Sequence, residues 1–196
     1  MPGGAANVAR NLTALNVPTE LFGVVGRDDA AQRLKQLLQE HNIGCAGLFA
    51  STGRPTSVKT RIVAQTQQVV RIDREARDGL SPQLTRQLLA SLKARLRETA
   101  AVIVCDYGKG VVTQSLLNEI KSLCRDRGVW LSLDPKPVHQ LNLASLSLIT
   151  PNRKEAFELA GLPDETRNHN PLKDANLMRT AESLLQRLKP AVLLIT

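Results

Sequence analysis

The chain has 196 residues, of which 42% are hydrophobic and 3% aromatic, and its formal net charge is +8. This length can bury one sizeable core, and no apolar run approaches the roughly 18 residues that span a membrane. The basic side chains are mixed with acidic and amide ones, so the composition argues against a nucleic-acid partner and favours a site for small anions.

The N-terminus and the cysteines bear on the compartment. No basic stretch followed by an apolar segment opens the chain, so no signal peptide is visible. Cys45, Cys105 and Cys124 are odd in number and scattered, without the spacing of metal ligands. Three free thiols fit a reducing compartment. We therefore expect a cytoplasmic protein without a membrane partner.

The first eighty residues predict short strands, two helices and a hairpin. A Gly3-Gly4 turn precedes a helix that ends near residue 15, and Asp28 is a good N-cap for a helix through His41. β-Branched residues indicate the two arms of a hairpin. The predicted strands are 20–25 and 43–49, and the hairpin arms are 57–64 and 69–73 around residues 65–68.

From about residue 80 onward, predicted helices and strands alternate. The strands are continuous apolar runs, which is typical of a parallel sheet covered on both faces. The predicted elements are helix 82–96, strand 101–105, helix 113–127, strand 129–133, strand 146–149, a helix after Asn152, helix 172–188 and strand 191–195. The sequence thus predicts an α/β fold: a mostly parallel central sheet flanked by helices on both faces, with a small β hairpin.

Polar residues follow three consecutive predicted strands. They are Asp106 with Lys109, Asp134 with Lys136, and Asn152. Because ligands of open parallel sheets bind beyond the carboxyl ends of the strands, these residues are candidates for one site. Lys109 stands between two glycines, so its charge can approach a phosphate closely. The alternative is that each aspartate is only a turn residue or a helix cap.

Asn152 and Glu155 lie at the start of the helix that follows the third strand. A helix N-terminus attracts anions, and Asn152 can present its amide there. Glu155, one turn on, can hold Mg²⁺ or a metal-bound water. The pair is therefore a candidate phosphate and Mg²⁺ site. The alternative is a plain N-cap with its capping-box partner.

Two further groups of residues suit a sugar substrate. The Gly3-Gly4 step lets a ligand approach the backbone, and Asn7 can bind neighbouring hydroxyls. Their spacing does not meet a dinucleotide-binding fingerprint. In the hairpin, Lys59, Arg61 and Arg71 alternate with apolar residues. One face of the hairpin is therefore expected to be basic.

These stretches are similar to the signatures of the ribokinase-like, or PfkB, family of carbohydrate kinases. The first signature resembles GGAANVA at residues 3–9 with FGVVGRD at 22–28, and the second resembles NRKE at 152–155. Within the family the resemblance is strongest to the heptose 7-phosphate kinases. Four stretches carry it: PGGAANVARNL, KTRIVAQTQQVVRID, CDYGKGV, and LDPK with TPNRKE.

The resemblance implies a ribokinase-like fold with a small β lid, whose strands allow a homodimer. It implies that ATP, with Mg²⁺, phosphorylates D-glycero-D-manno-heptose 7-phosphate at the anomeric hydroxyl. The product is the 1,7-bisphosphate, and the pathway would supply ADP-heptose for lipopolysaccharide. The expected small-molecule partners are thus ATP and a sugar phosphate.

Residue roles follow from the same resemblance. Gly3, Gly4 and Asn7 are implied to contact the sugar. Residues Asn152, Arg153, Lys154 and Glu155 are implied to face the nucleotide phosphates, with Glu155 as the metal ligand. On chemical grounds we assign Asp106 to the substrate, and Lys109, Lys59 and Arg61 to its phosphate. Asp134 and Lys136 remain further candidates at the strand ends.

One motif of the family is absent from residues 1–196. The catalytic aspartate of the family lies in a G-A-G-D motif, so the resemblance implies a single partial kinase domain, incomplete at both ends and without its catalytic base. We expect such a chain not to turn over its substrates alone. Two other interpretations stay open: another sugar kinase of the family, or a truncated paralogue that binds a sugar phosphate without catalysis.

Overall fold

The structure is a computed structural model that describes residues 1–65, 67–136 and 141–196. The chain divides into two compact units. Unit 1 comprises residues 1–94 and 109–111, and unit 2 comprises residues 95–108 and 112–196. In the described part of the chain, no helix has both the length and the apolar character needed to cross a bilayer.

Unit 1 combines three helices with a parallel strand pair and a hairpin. Its elements are α1 (Ala5–Ala14), β1 (Gly23–Gly26), α2 (Asp29–Glu40), β2 (Leu48–Ser51), β3 (Val58–Ala64), β4 (Gln67–Arg74) and α3 (Pro82–Arg95), whose last residue belongs to unit 2. β1 pairs with β2 in parallel. A small core of buried apolar residues joins α1, α2 and these two strands: Ala6, Ala9, Val25, Ala31, Leu38, Ile43 and Leu48.

The hairpin β3–β4 is antiparallel and solvent-exposed. Lys59 lies opposite Asp73, and Arg61 lies directly opposite Arg71. Residues opposite one another share a face of the ladder, so this face carries three cations and one carboxylate. The predicted basic face is confirmed. Thr66, in the predicted turn, lies outside the described residues.

Unit 2 contains a four-stranded parallel sheet in the order β5-β6-β7-β8. Its elements are β5 (Ala101–Cys105), α4 (Gln114–Arg127), β6 (Trp130–Asp134), β7 (Leu148–Ile149), α5 (Arg153–Ala160), α6 (Ala175–Leu188) and β8 (Val192–Leu193). Leu133 and Ile149, on the two central strands, are fully buried. Neighbouring parallel strands require a crossover connection: α4 lies in the one from β5 to β6, and α5 and α6 lie in the one from β7 to β8.

The α/β class with a parallel sheet and a small antiparallel hairpin is confirmed. The strand predicted at residues 43–49 was placed too early, since β2 begins at Leu48. Leu48 N–H donates to the carbonyl of Cys45, which makes a turn just before the strand. Gly47 packs against the Phe22 ring so closely that a Cβ would lie 2.4 Å from it. Hydrogen bonds also join the parallel strands in two groups, one in each unit.

Two elements near the end of the chain also differ in extent from the predicted ones. The helix predicted at 172–188 begins at Ala175, after a short 3-10 turn at Pro171–Lys173. Asp174 sets this boundary because its Oδ1 accepts from Leu177 N–H as the N-cap. The strand predicted at 191–195 is shorter, at Val192–Leu193.

Gly110 offers a test of the close packing in unit 1. Its φ is +70°, and a Cβ would lie 2.0 Å from the carbonyl oxygen of Asp78. The backbone conformation alone costs an alanine about 1–2 kcal/mol. We expect Gly110→Ala to lower the free energy of unfolding by more than that, because the backbone of residues 77 and 78 must also move.

The matched control is Gly128→Ala. Gly128 has a φ of +65°, and among the described residues beyond its two chain neighbours no atom lies within 4 Å of its added Cβ. This variant should lose only the conformational cost of about 1–2 kcal/mol. Urea denaturation of the two variants measures the difference. Equal losses would contradict the proposed backbone clash.

Candidate functional site

The carboxyl ends of β5, β6 and β7 meet at one edge of the sheet in unit 2. Cys105 is in register with Asp134, and Leu133 with Ile149. Asp106 N–H donates to the carbonyl of Asp134 at 3.3 Å. Asp106, Asp134 and the start of α5 therefore lie on the same edge, as the sequence predicts.

Asp106 is buried, with 3% of its surface exposed. Its Oδ1 accepts from Gly108 N–H at 2.9 Å, and Gly108 has a φ of +66°. The carboxylate thus shapes the turn that leaves β5, as an Asx turn does. One oxygen of Asp106 therefore acts in a turn, as the alternative interpretation expects. The same hydrogen bond fixes the orientation of the carboxylate at the sheet edge.

Asn152 and Glu155 form a complete capping box at the start of α5. Asn152 Oδ1 accepts from Glu155 N–H, and Glu155 Oε2 accepts from Asn152 N–H, both at 3.0 Å. Glu155 Oε1 lies 3.7 Å from Lys136 Nζ. The observed hydrogen bonds therefore agree with the capping interpretation of Asn152 and Glu155. It leaves Glu155 Oε1 and the Asn152 amide nitrogen as the groups that can serve a ligand.

The edge is electrostatically negative around Asp134. Burial raises the pKa of Asp134, and the charges of Glu155 and Asp106 raise it further, whereas Lys136 lowers it. Burial, with a contribution from the charge of Asp134, also raises the pKa of the Cys105 thiol to about 11. A cation at this edge would relieve the repulsion between the carboxylates.

The donor set fits Mg²⁺ in one particular manner. Across residues 1–65, 67–136 and 141–196, no three His, Cys, Asp or Glu side chains stand close enough to hold a metal ion. Mg²⁺ is commonly bound through one or two carboxylates, with water and substrate phosphates completing the octahedron. Glu155, with Asp134 nearby, matches the carboxylate part of that arrangement.

Arg153 and Lys154, which share the motif, point to other partners. Arg153 donates to both carboxylate oxygens of Asp164 and pairs with Asp174 at 2.9 Å. Lys154 is highly exposed and lies 3.7 Å from Glu158 on the same helix. The structure therefore brings Asn152, Glu155, Asp134 and Asp106 to one edge, whereas the guanidinium of Arg153 faces Asp164 and Asp174.

In unit 1, the Gly3-Gly4 turn opens α1. Gly4 is the N-cap, with a φ of 54° and a ψ of −134° that favour glycine. Its carbonyl accepts from Asn7 N–H and Val8 N–H. Asn7 Oδ1 accepts from Arg10 at 3.0 Å. This bond leaves the NH₂ group of the Asn7 amide as the donor for a ligand.

The predicted anion-binding lysine, Lys109, has an acidic partner. Its Nζ lies 2.5 Å from Glu75 Oε2, and Arg54 donates to its carbonyl at 2.6 Å. The hydrogen bond from Lys109 is the main cause that lowers the pKa of Glu75. Sequence reasoning missed Glu75, although the residue directly follows the basic strand β4. A phosphate at Lys109 must compete with this carboxylate.

The raised pKa of Asp134 predicts a pH-dependent stability. An acid whose folded pKa is raised binds more protons in the folded state, so its charge destabilises the fold as pH rises through that pKa. We expect Asp134→Asn to increase the free energy of unfolding at pH 7. The gain should vanish below about pH 4, where the carboxyl is protonated in both states.

Glu119→Gln is the control, since Glu119 is an exposed residue in the middle of α4. Its effect on stability should be small across the same pH range. Thermal unfolding from pH 3 to 8 provides the measurement. A gain from Asp134→Asn that persists unchanged at the acidic end would show that packing, and not charge, causes it.

Comparison with known proteins identifies the family to which this chain is similar. The pattern of the pfkB family carbohydrate kinases matches residues 1–196. Curated proteins named bifunctional protein HldE are similar throughout. The one from Desulfatibacillum aliphaticivorans is 35% identical over 195 residues, and the one from Geobacter sulfurreducens is 36% identical over 194. These matches include 99% of this chain and 38% of each relative, so the chain spans well under half of their length.

Solved structures agree in fold at low sequence identity. The tetrameric inhibited form of phosphofructokinase-2 from Escherichia coli has a TM-score of 0.72 at 17% identity, over 96% of this chain and 59% of its own. Arabidopsis thaliana ribokinase, complexed with ribose and ATP, has a TM-score of 0.71 at 17% identity, over 99% and 60%. The resemblance drawn from the motifs is confirmed, and the chain belongs to the pfkB family of carbohydrate kinases.

Proposed function

We propose that this chain forms part of a kinase that transfers the γ-phosphoryl group of ATP to the anomeric hydroxyl of a heptose 7-phosphate. The observation that carries the proposal is the sheet edge of unit 2. There a capped helix N-terminus stands beside Asp106, Asp134 and Glu155. Phosphoryl transfer depends mainly on positioning and charge neutralisation, which such an edge provides.

The residues of unit 2 would act on the nucleotide. The free N–H groups and the positive end of the α5 dipole attract phosphate oxygens, and the Asn152 amide adds a donor. Glu155 is the residue that would hold Mg²⁺, which would supply positive charge to neutralise the phosphates. Lys136, 3.7 Å from Glu155, supplies a further cation for the same phosphates. No residue of 1–196 is assigned as the catalytic base.

The residues of unit 1 would bind the sugar phosphate. Gly4 exposes backbone at the start of α1, and Asn7 offers an amide for vicinal hydroxyls. Lys59 and Arg61 lie on the basic face of the exposed hairpin, and Lys109 is a further cation. The choice of heptose is supported by the four similar stretches and by the HldE relatives at 35–36% identity.

The direct test uses a kinase domain of family length that carries residues 1–196. It is incubated with ATP, Mg²⁺ and D-glycero-D-manno-heptose 7-phosphate, and ³¹P NMR follows the anomeric phosphate. Fructose 6-phosphate and ribose serve as comparison substrates. A higher kcat/KM for either of them would replace the heptose assignment by the other sugar-kinase interpretation. Tight sugar-phosphate binding without turnover of any substrate would favour a non-catalytic paralogue.

A substitution at Asn152 separates capping from catalysis. Serine caps a helix about as well as asparagine, so Asn152→Ser should leave the unfolding midpoint nearly unchanged. It removes the amide donor, and loss of one such donor lowers kcat by about 10²-fold. Glu155→Gln should in addition raise the Mg²⁺ concentration that gives half-maximal rate.

Asn170→Ser provides the control, because Asn170 is also a side-chain N-cap: its Oδ1 accepts from Leu172 N–H at the 3-10 turn Pro171–Lys173. It should change neither kcat nor the Mg²⁺ dependence. Steady-state kinetics and thermal unfolding of all three variants complete the test. Unchanged kinetics for Asn152→Ser, together with an unchanged melting temperature, would mean that Asn152 is a cap and nothing more.

The pair of Lys109 and Glu75 gives a second kinetic prediction. Lys109→Met should raise the KM for the sugar phosphate more than the KM for ATP, because it removes a cation proposed to meet the substrate phosphate. Glu75→Gln should lower the sugar-phosphate KM, since it removes the competing carboxylate. Lys93→Met, at an exposed position of α3, is the control. If the ATP KM alone rises in Lys109→Met, the assignment of Lys109 is incorrect.

A further inference from the structure

Arg153 lies inside the motif expected to meet phosphate, yet its guanidinium is fully engaged by acidic and carbonyl groups. Nε and Nη2 donate to Asp164 at 2.6–3.0 Å, and Nη2 also donates to the carbonyl of Thr166. Nη1 lies 2.9 Å from Asp174 Oδ2. The guanidinium stands 5.0 Å from the centre of the Phe157 ring. Nε and Nη2 thus have hydrogen-bond acceptors, Nη1 has an ion-pair partner, and one face of the group is covered.

Asp174 is the buried partner in this arrangement. Only 2% of its surface is exposed, and it caps α6 through Leu177 N–H. The hydrogen bond from Thr166, followed by those from Leu177 and Arg153, lowers the pKa of Asp174 to about 2. A buried carboxylate stays ionised only when its charge is compensated. Arg153 supplies the compensating charge.

The Arg153 clasp, meaning Arg153 with Asp164, Thr166 and Asp174, joins three segments of unit 2. Its arginine is the first residue of α5, Asp174 is the N-cap of α6, and Asp164 and Thr166 lie in the connection between the two helices. The α5 end is held to the chain after β8 as well, because Arg153 N–H donates to Thr196 O at 2.8 Å. The first turn of α5 is therefore fixed from two sides.

We propose that Arg153 is a positioning residue. It fixes the direction of the first turn of α5, and so places Asn152 and Glu155 at the sheet edge, without itself binding a phosphate. The kinetic part of this inference rests on the proposed kinase function, whereas the structural part does not. Arginine suits the task because its planar fork reaches several acceptors at once, which the single ammonium of lysine does not.

Lysine substitution distinguishes the two roles by kinetics. A phosphate ligand tolerates Arg153→Lys, since a point charge still attracts the anion. A positioning residue that contacts several acceptors does not tolerate this change. In the kinase domain, Arg153→Lys should therefore lower kcat about as much as Arg153→Met does, on the order of tenfold. The KM for the sugar phosphate should stay within about twofold, and the Mg²⁺ requirement should rise.

A double-mutant cycle sharpens the kinetic test. Asp164→Asn should lower kcat, and its effect should be non-additive with that of Arg153→Met, because both remove the same contact. A direct phosphate ligand would give near-normal kcat for Arg153→Lys and for Asp164→Asn. That result would overturn the proposal.

Amide hydrogen exchange in the 196-residue chain tests positioning without any substrate. We expect Arg153→Lys to speed exchange of the Glu155 and Leu177 amides about tenfold, because both depend on caps that the clasp holds in place. Lys154→Met, at the exposed neighbouring position, should leave them unchanged. Unaltered protection in Arg153→Lys would refute the clasp. Failure to phosphorylate any sugar would refute the proposed function and leave this exchange result intact.

Discussion

The parallel register of β5, β6 and β7 is the constraint on which the candidate site depends. It aligns Cys105 with Asp134 and Leu133 with Ile149, so the chain leaves all three strands at one edge. Asp106 then lies beside Asp134, because the hydrogen-bonded register of β5 and β6 places it there. Burial at this edge raises the pKa of Asp134, and the charges of Glu155 and Asp106 raise it further.

At the same edge, one pair of side chains can serve a structural and a chemical role through different atoms. The capping box uses Asn152 Oδ1 and Glu155 Oε2, and it leaves the Asn152 amide nitrogen and Glu155 Oε1 for other partners. A capped helix start is more rigid than an uncapped one, and phosphoryl transfer depends on rigid positioning. The capping and the phosphate interpretations of this motif are therefore compatible, because each requires a different atom.

Much of the fold could be predicted from the sequence because local signals were strong. The predicted strand 101–105 and the predicted helix 113–127 agree closely with the observed bounds of β5 and α4. The start of β2 was missed because a turn at Cys45 and the packing of Gly47 on Phe22 depend on tertiary neighbours. The partners of Lys109 and Arg153 were missed for the same reason: Glu75 and Asp174 are 34 and 21 residues away along the chain.

The positive net charge of the chain overstates the number of cations that are ready to bind an anion. Lys109, Arg71 and Arg153 each already have an acidic partner. These pairs differ in how easily they exchange that partner. Lys109 is a flexible point charge that would have to give up one carboxylate to bind a phosphate, whereas Arg153 would have to abandon Asp164, Thr166 and the buried Asp174 together. The number and burial of the acidic partners, and not the presence of a basic residue in a motif, therefore decide which cation serves the substrate and which serves the fold.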